Sequence, residues 1–188
     1  VTDVGRKRKQ NEDNLLLADL QRQKRAYHME HGQWQVGGRG LLFAVCDGMG
    51  GAAAGEIASQ MAVDIIYDEL LDLEPGLEPQ VFAEIIDRAV LTANHNIREL
   101  ALRDASKKGM GTTLSAAAIY GNILFLAQVG DSRAYLLRGG KLVQVTKDQS
   151  LLERLIAEGA ITPEHAENFA GKNVILQALG PAAQVLVD

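Results

Sequence analysis

Residues 112–146 read TTLSAAAIYGNILFLAQVGDSRAYLLRGGKLVQVT. The runs 112–120, 123–129, 133–138 and 141–146 are short and rich in β-branched or aromatic residues, and Gly121-Asn122, Gly130-Asp131 and Gly139-Gly140 punctuate them. Glycine beside Asn, Asp or a second glycine closes tight antiparallel hairpins, because it adopts the positive φ that matches the twist of the flanking strands. The segment is therefore expected to be an antiparallel meander.

Upstream, apolar alternation predicts strands over 14–20 and 41–45, with the polar stretch 21–40 as a long excursion between them. The second strand is expected to deliver Cys46, Asp47 and Gly48 to a sheet edge. Residues 56–73 carry Ile57, Met61, Ile65, Ile66 and Leu70 near a 3.6-residue period. Residues 79–104 repeat the pattern with Phe82, Ile85, Ile86, Ala89, Val90, Ala93, Ile97 and Leu100, predicting two consecutive amphipathic helices. Downstream come a helical stretch at 150–158, a turn at 159–163, an apolar run at 173–179 and a strand-like Val185-Leu186-Val187. Strands and helices arranged in blocks, rather than in strict alternation, predict an α+β layered fold with antiparallel sheets.

With 188 residues, 47% of them hydrophobic, the chain can bury one sizeable core, and residues 1–188 are read as a single domain. A net charge of -5 argues against nucleic-acid binding, since basic residues cluster only at Arg6-Lys7-Arg8-Lys9. One cysteine, Cys46, cannot form an internal disulfide, and no apolar run is long enough to span a membrane. A soluble, cytoplasmic protein is expected. The chain opens at Val1 and closes at Asp188 beside an apolar run, so both ends are read as boundaries within a longer protein.

The candidate chemistry lies in acids at turns: Asp13, Asp47 followed by Gly48, and Asp131 after Gly130. Carboxylates held beside glycine can converge on a hard cation, with a freed backbone carbonyl as an additional oxygen donor. Oxygen donors without a His or Cys cluster favour Mg2+ or Mn2+ over zinc. Arg8, five residues before Asp13, could pair its planar fork with a phosphate. Each residue taken singly has a plainer reading: a turn for Asp-Gly, a solvated side chain for Arg8, a helix cap for residues 48–55. Glu56 reads as a charge favouring a helix N-terminus, Cys46 as a buried small hydrophobe, and His95 and His165 as ordinary helix residues.

The ordered set of motifs carries more than its parts. TD-x-G-x-x-R-x-x-NED, F-x-V-x-DGMGG-x-x-x-GE-x-AS, GTT and VGDSRAYLLR-x-G-x-L-x-Q-x-T-x-D together resemble metal-dependent serine/threonine protein phosphatases of type 2C (the PPM family), in their bacterial form. The resemblance implies a four-layer α-β-β-α sandwich, two central antiparallel sheets flanked by helices, with two or three Mg2+ or Mn2+ ions in a cleft. It further implies that Asp47 bridges two metals, Gly48 offers a carbonyl ligand, Asp13 binds metal-bound water, Arg8 clamps phosphate and Asp131 serves a third metal. The implied reaction is hydrolysis of phosphomonoesters by direct attack of a metal-activated water, without a phosphoenzyme.

Phosphoserine and phosphothreonine proteins, a cognate kinase or its substrates are the implied partners, and a monomer the implied state. Met49 stands where many eukaryotic relatives have histidine. Gln149 stands where bacterial relatives commonly have histidine, and residues 166–172 lack the usual His-Pro-x-Arg, so a mobile flap with altered substrate contacts is expected. The family continues with Ser-Asp-Gly and Asp-Asn motifs whose aspartates complete the first metal site, so the chain is read as truncated, with weak metal binding and little turnover of its own. The competing readings are a catalytically inactive phosphatase-like regulatory or binding module and, ranked after it, another hydrolase or a phospho-ligand sensor.

Overall fold

The chain begins with strands β1 (Asp13–Asp19), β2 (Lys24–Ala26) and β3 (Leu41–Met49), continues through helices α1 (Ala54–Leu71) and α2 (Pro79–Arg103), and returns to strands. These are β4 (Gly111–Thr112), β5 (Leu114–Tyr120), β6 (Ile123–Val129), β7 (Tyr135–Arg138) and β8 (Lys141–Gln144), before helix α3 (Leu151–Ala157). The computed structural model describes residues 2–6, 10–26, 34–51 and 53–188.

The larger sheet has the order β2-β1-β3-β5-β6, with β4 also paired to β3, and all its pairings are antiparallel. Register assigns its two faces. Leu16, Ala44, Ala116 and Ala127 lie in one row across four strands and are buried against the helices. Leu15, Val45, Ser115 and Gln128 form the next row and point to the other face, as the two-residue repeat of a strand requires. β7 and β8 form a separate two-stranded sheet.

Helix α2 follows the expected pattern: Phe82, Ile86, Ala89, Val90, Ala93 and Ile97 are buried, and Pro79 occupies the first turn, where its missing N–H costs nothing. Phe82 is fully buried, stacked on Tyr120 at 4.4 Å and tilted against Phe125 at 5.1 Å. Burying such a side chain contributes about 2 kcal/mol. In α1 the innermost stripe is smaller than expected. Ala54, Gly55, Ala58, Ser59 and Ala62 are buried, whereas Ile57, Met61 and Ile65 are only partly so. Small residues allow the first half of α1 to lie close against β3.

The expected elements are present with four differences. β3 runs on through Asp47 and Gly48 to Met49, so these residues lie inside a central strand rather than at a sheet edge; Gly48 pairs with Thr112. The excursion after β1 contains β2, paired to β1. The expected meander is two hairpins, β5–β6 and β7–β8, in different sheets, because the chain leaves the first sheet at Gly130. The run 173–179 forms no strand and contributes isolated bridges, Ile175 to Ser150 and Leu179 to Thr112. At the end of the chain, Asp188 and Gln128 exchange backbone hydrogen bonds of 2.9 and 3.1 Å, so the last apolar run does meet the edge of β6.

Candidate metal centre

Asp13 is the first residue of β1 and Asp47 its register partner in β3. Both belong to the face turned away from the helices, and both are exposed. With Thr2, Asn14, Val45 and Ser132 among its other walls, a depression of about 260 Å³ opens over them. Like charges facing each other across an antiparallel pair destabilise it, and a divalent cation between them turns that repulsion into attraction.

The peptide of Asp47 is firmly held. Its N–H donates to Thr113 Oγ1 at 3.0 Å, and its carbonyl accepts from the Thr113 N–H and from Thr112 Oγ1, both at 3.0 Å. On the helix side, the Gly48 N–H donates to the Glu12 carbonyl at 3.2 Å, which also accepts from Ser59 Oγ in α1 at 2.5 Å. A Cβ on Gly48 would collide with the carbonyl oxygens of Gly55 and Glu12, and one on Gly55 with the Glu12 carboxylate and the Gly48 carbonyl carbon. Two glycines are therefore required where β3 and α1 cross, and they set the position of the Gly48 backbone.

Asp131 follows Gly130, whose φ of +102° and contact with the Thr113 side chain, 2.7 Å from an ideal Cβ, restrict the position to glycine. Asp131 is half-buried. Burial pushes its carboxyl above the usual range, with the negative charge of Asp148 adding to the rise and Arg133 opposing it. Its neighbour Ser132 lines the depression over Asp13 and Asp47 and shares a 2.7 Å hydrogen bond with Thr113 Oγ1. Thr113 thus joins the Asp47 peptide to the Asp131 loop. Arg133 grips Asp148 through Nε at 2.8 and 2.9 Å and through a terminal nitrogen at 2.5 Å.

The structure brings Asp13 and Asp47 together, places Gly48 next to them and sets Asp131 one residue from the shared depression. Arg8 lies outside the described residues. No group of three or more His, Cys, Asp or Glu side chains converges among the described residues. Two carboxylates and a carbonyl nevertheless suit a hard octahedral ion such as Mg2+, which keeps several waters and takes one or two carboxylates. Cys46 points to the opposite face, is buried, and its thiol is pushed up to about 12 by burial, which makes it inert at neutral pH. Glu56 stands in the first turn of α1, as expected.

Sequence reasoning left Thr113, Ser132 and Gln128 without roles. Thr113 and Ser132 were visible only as parts of the GTT and GDSR motifs. Gln128 is a polar residue in an apolar run, a mild anomaly until its partners are seen. Gln149, read as a change near a flap, accepts the Gly130 N–H at 2.8 Å.

Residues 26–161 match the family described as Protein phosphatase 2C. The chain belongs to that family. The serine/threonine protein phosphatase PstP of Mycobacterium tuberculosis is 44% identical over 138 residues, which cover 73% of this chain and 26% of that protein. The serine/threonine phosphatase stp of Listeria innocua is 35% identical over 187 residues, covering 100% of this chain and 68% of that protein. The chain thus spans about a quarter of one relative and about two thirds of the other. Among solved phosphatase structures, Stp1 of Staphylococcus aureus superposes with a TM-score of 0.84 at 30% identity, covering 100% of this chain and 67% of that one. The PstP catalytic domain in complex with two manganese ions superposes with a TM-score of 0.74 at 34% identity, covering 99% of this chain and 67% of that one. The α+β architecture with antiparallel sheets is the fold of these phosphatases.

Proposed function

We propose that the chain is the N-terminal, metal-holding part of a serine/threonine protein phosphatase catalytic domain, with residues 1–188 as one unit of it. Its reaction is hydrolysis of phosphoserine and phosphothreonine monoesters in proteins, in the cytoplasm, by a monomer that opposes a kinase of the same specificity. The observation that carries the reading is the register pairing of Asp13 with Asp47 in a chain of the 2C family. The two manganese ions of the PstP structure support the choice of ion.

Asp47 and Asp13 would hold a pair of Mg2+ or Mn2+ ions, with the Gly48 carbonyl as a neutral donor and Asp131 serving a further ion. When bound, such ions supply Lewis-acid charge and an acidified water. The residues of the chain provide position. Thr112 and Thr113 hold the Asp47 peptide, and the Gly48–Gly55 crossing fixes the backbone that carries the carbonyl. Arg8 would pair with the phosphate bidentately and offset charge on its oxygens during transfer. The chain alone is expected to bind metal weakly and turn over slowly.

The test is hydrolysis of p-nitrophenyl phosphate and a phosphothreonine peptide by the whole protein carrying this chain, with Mn2+ and with chelator. Metal-dependent hydrolysis that disappears in Asp47→Ala is the expected result. A whole protein that stays silent with Mn2+ would leave a phosphatase-like binding module as the better account.

A further inference from the structure

Gln128 is the least expected residue of the second face: a buried primary amide next to the end of β6, 2% exposed. Every polar atom of its side chain is used. Its Oε1 accepts from Ser115 Oγ at 2.5 Å, while Nε2 donates to the carbonyls of Gly130 at 3.1 Å and Ser132 at 2.6 Å. Those two carbonyls flank Asp131 on either side, so one amide nitrogen spans the residue and ties down the Gly130–Asp131 and Ser132–Arg133 peptides. The single Ser115 O–H has the Ser132 carbonyl, 2.9 Å away, as its alternative acceptor.

Gln149 completes the grip from the other side. Its Oε1 accepts the Gly130 N–H at 2.8 Å, and its own N–H donates to the Gly130 carbonyl at 2.9 Å. Its Nε2 reaches the Gln128 carbonyl at 3.5 Å and the Asp188 carboxylate at 3.0 Å. A turn containing a glycine at φ +102° has no ladder of its own to hold it, and buried amides with all partners satisfied rigidify such a segment.

We infer that Gln128 and Gln149 form an amide clamp whose task is to position Asp131 and Ser132 for the cations and substrate of the centre. They are positioning residues, acting through the Gly130–Ser132 peptides without touching the reacting groups, and the inference rests on the phosphatase reading above. Partners that orient a ligand typically change metal affinity about 10–100-fold when removed. The clamp serves the Asp131 side of the centre, leaving the Asp13–Asp47 pair as it is.

The experiment compares the whole protein with its Gln128→Leu, Gln149→Leu and Gln149→His variants; the histidine keeps a ring nitrogen able to accept the Gly130 N–H. Mn2+ binding is followed by electron paramagnetic resonance, hydrolysis of p-nitrophenyl phosphate as a function of Mn2+, and folding by thermal denaturation. The leucine variants are expected to lose the weakest class of bound Mn2+ and to need about tenfold more Mn2+ for half-maximal rate. The tight sites should stay filled, kcat should recover at saturating Mn2+, and Gln149→His should restore the wild-type profile. A lower melting temperature with unchanged Mn2+ binding and Mn2+ dependence would reduce the glutamines to structural residues and overturn the clamp. If Gln128→Leu does not fold, the half-buried Gln149 decides the matter alone. A wild type that binds Mn2+ at the tight sites and is active, with superimposable variants, sinks the clamp only; a wild type that binds no Mn2+ overturns the phosphatase reading and the clamp with it.

Discussion

Asp13 and Asp47 are register partners across β1 and β3, so two carboxylates occupy facing positions on one face of a sheet whose next row, Leu15 and Val45, is apolar. Carboxylates facing each other across an antiparallel pair repel, and a cation shared between them turns that repulsion into attraction.

Asp13→Asn is therefore expected to change the stability of the metal-free protein by no more than roughly 0.5 kcal/mol, the scale of one cross-strand charge pair. Urea denaturation with chelator reads this directly. Repeated at saturating Mn2+, the same variant should be less stable than wild type, because a ligand is lost. An equal effect with and without metal would mean that the two acids do not share an ion.

The crossing of β3 over α1 requires bare backbone at two positions. Gly48→Ala and Gly55→Ala should each cost about 2 kcal/mol, the usual scale for overpacking without room to relax. Because both variants push apart the same two elements, their double mutant should cost less than the sum. Strict additivity in chemical denaturation would show that the contact is not shared.

Thr113, 1% exposed, accepts the Asp47 N–H and shares a bond with Ser132. Thr113→Val keeps the shape and removes the hydroxyl, leaving the Asp47 N–H without that acceptor. A loss of about 2 kcal/mol in unfolding free energy is expected, together with weaker Mn2+ binding. A variant that unfolds like wild type would remove Thr113 from the support of the site.

Cys46 should resist alkylation by iodoacetamide at pH 8 in the folded protein and react once denatured. Burial holds its thiol near 12 in the folded state, above the unfolded value, so its contribution to stability is complete below about pH 8.5. That contribution is lost as pH rises towards 12. Cys46→Ala should flatten this alkaline slope, and rapid labelling of the native protein would contradict the burial.

The fold was legible where periodicity and turn chemistry agreed. The helical face of α2 and the β5–β6 hairpin closed at Gly121-Asn122 follow from residue type alone. The true face of the first half of α1 did not, because Ala58, Ser59 and Ala62 are nearly silent on any scale of hydrophobicity, whereas the larger Ile57, Met61 and Ile65 attract the eye; Ile66 and Leu70 further along are buried as expected. Asp47 was recognisable from Asp-Gly, but its partnership with Asp13 depends on register across 34 positions, which no local pattern encodes. The supports Thr113, Gln128 and Gln149 act through backbone carbonyls and amides, and no side-chain motif announces such partners.

The most direct test of the central claim is a calorimetric titration of Mn2+ into the protein and into its Asp47→Ala variant. Saturable binding by the wild type, weakened at least tenfold in the variant, is the result this account predicts. Indistinguishable isotherms would show that the cations bind elsewhere and that the Asp13–Asp47 pair is not the metal centre.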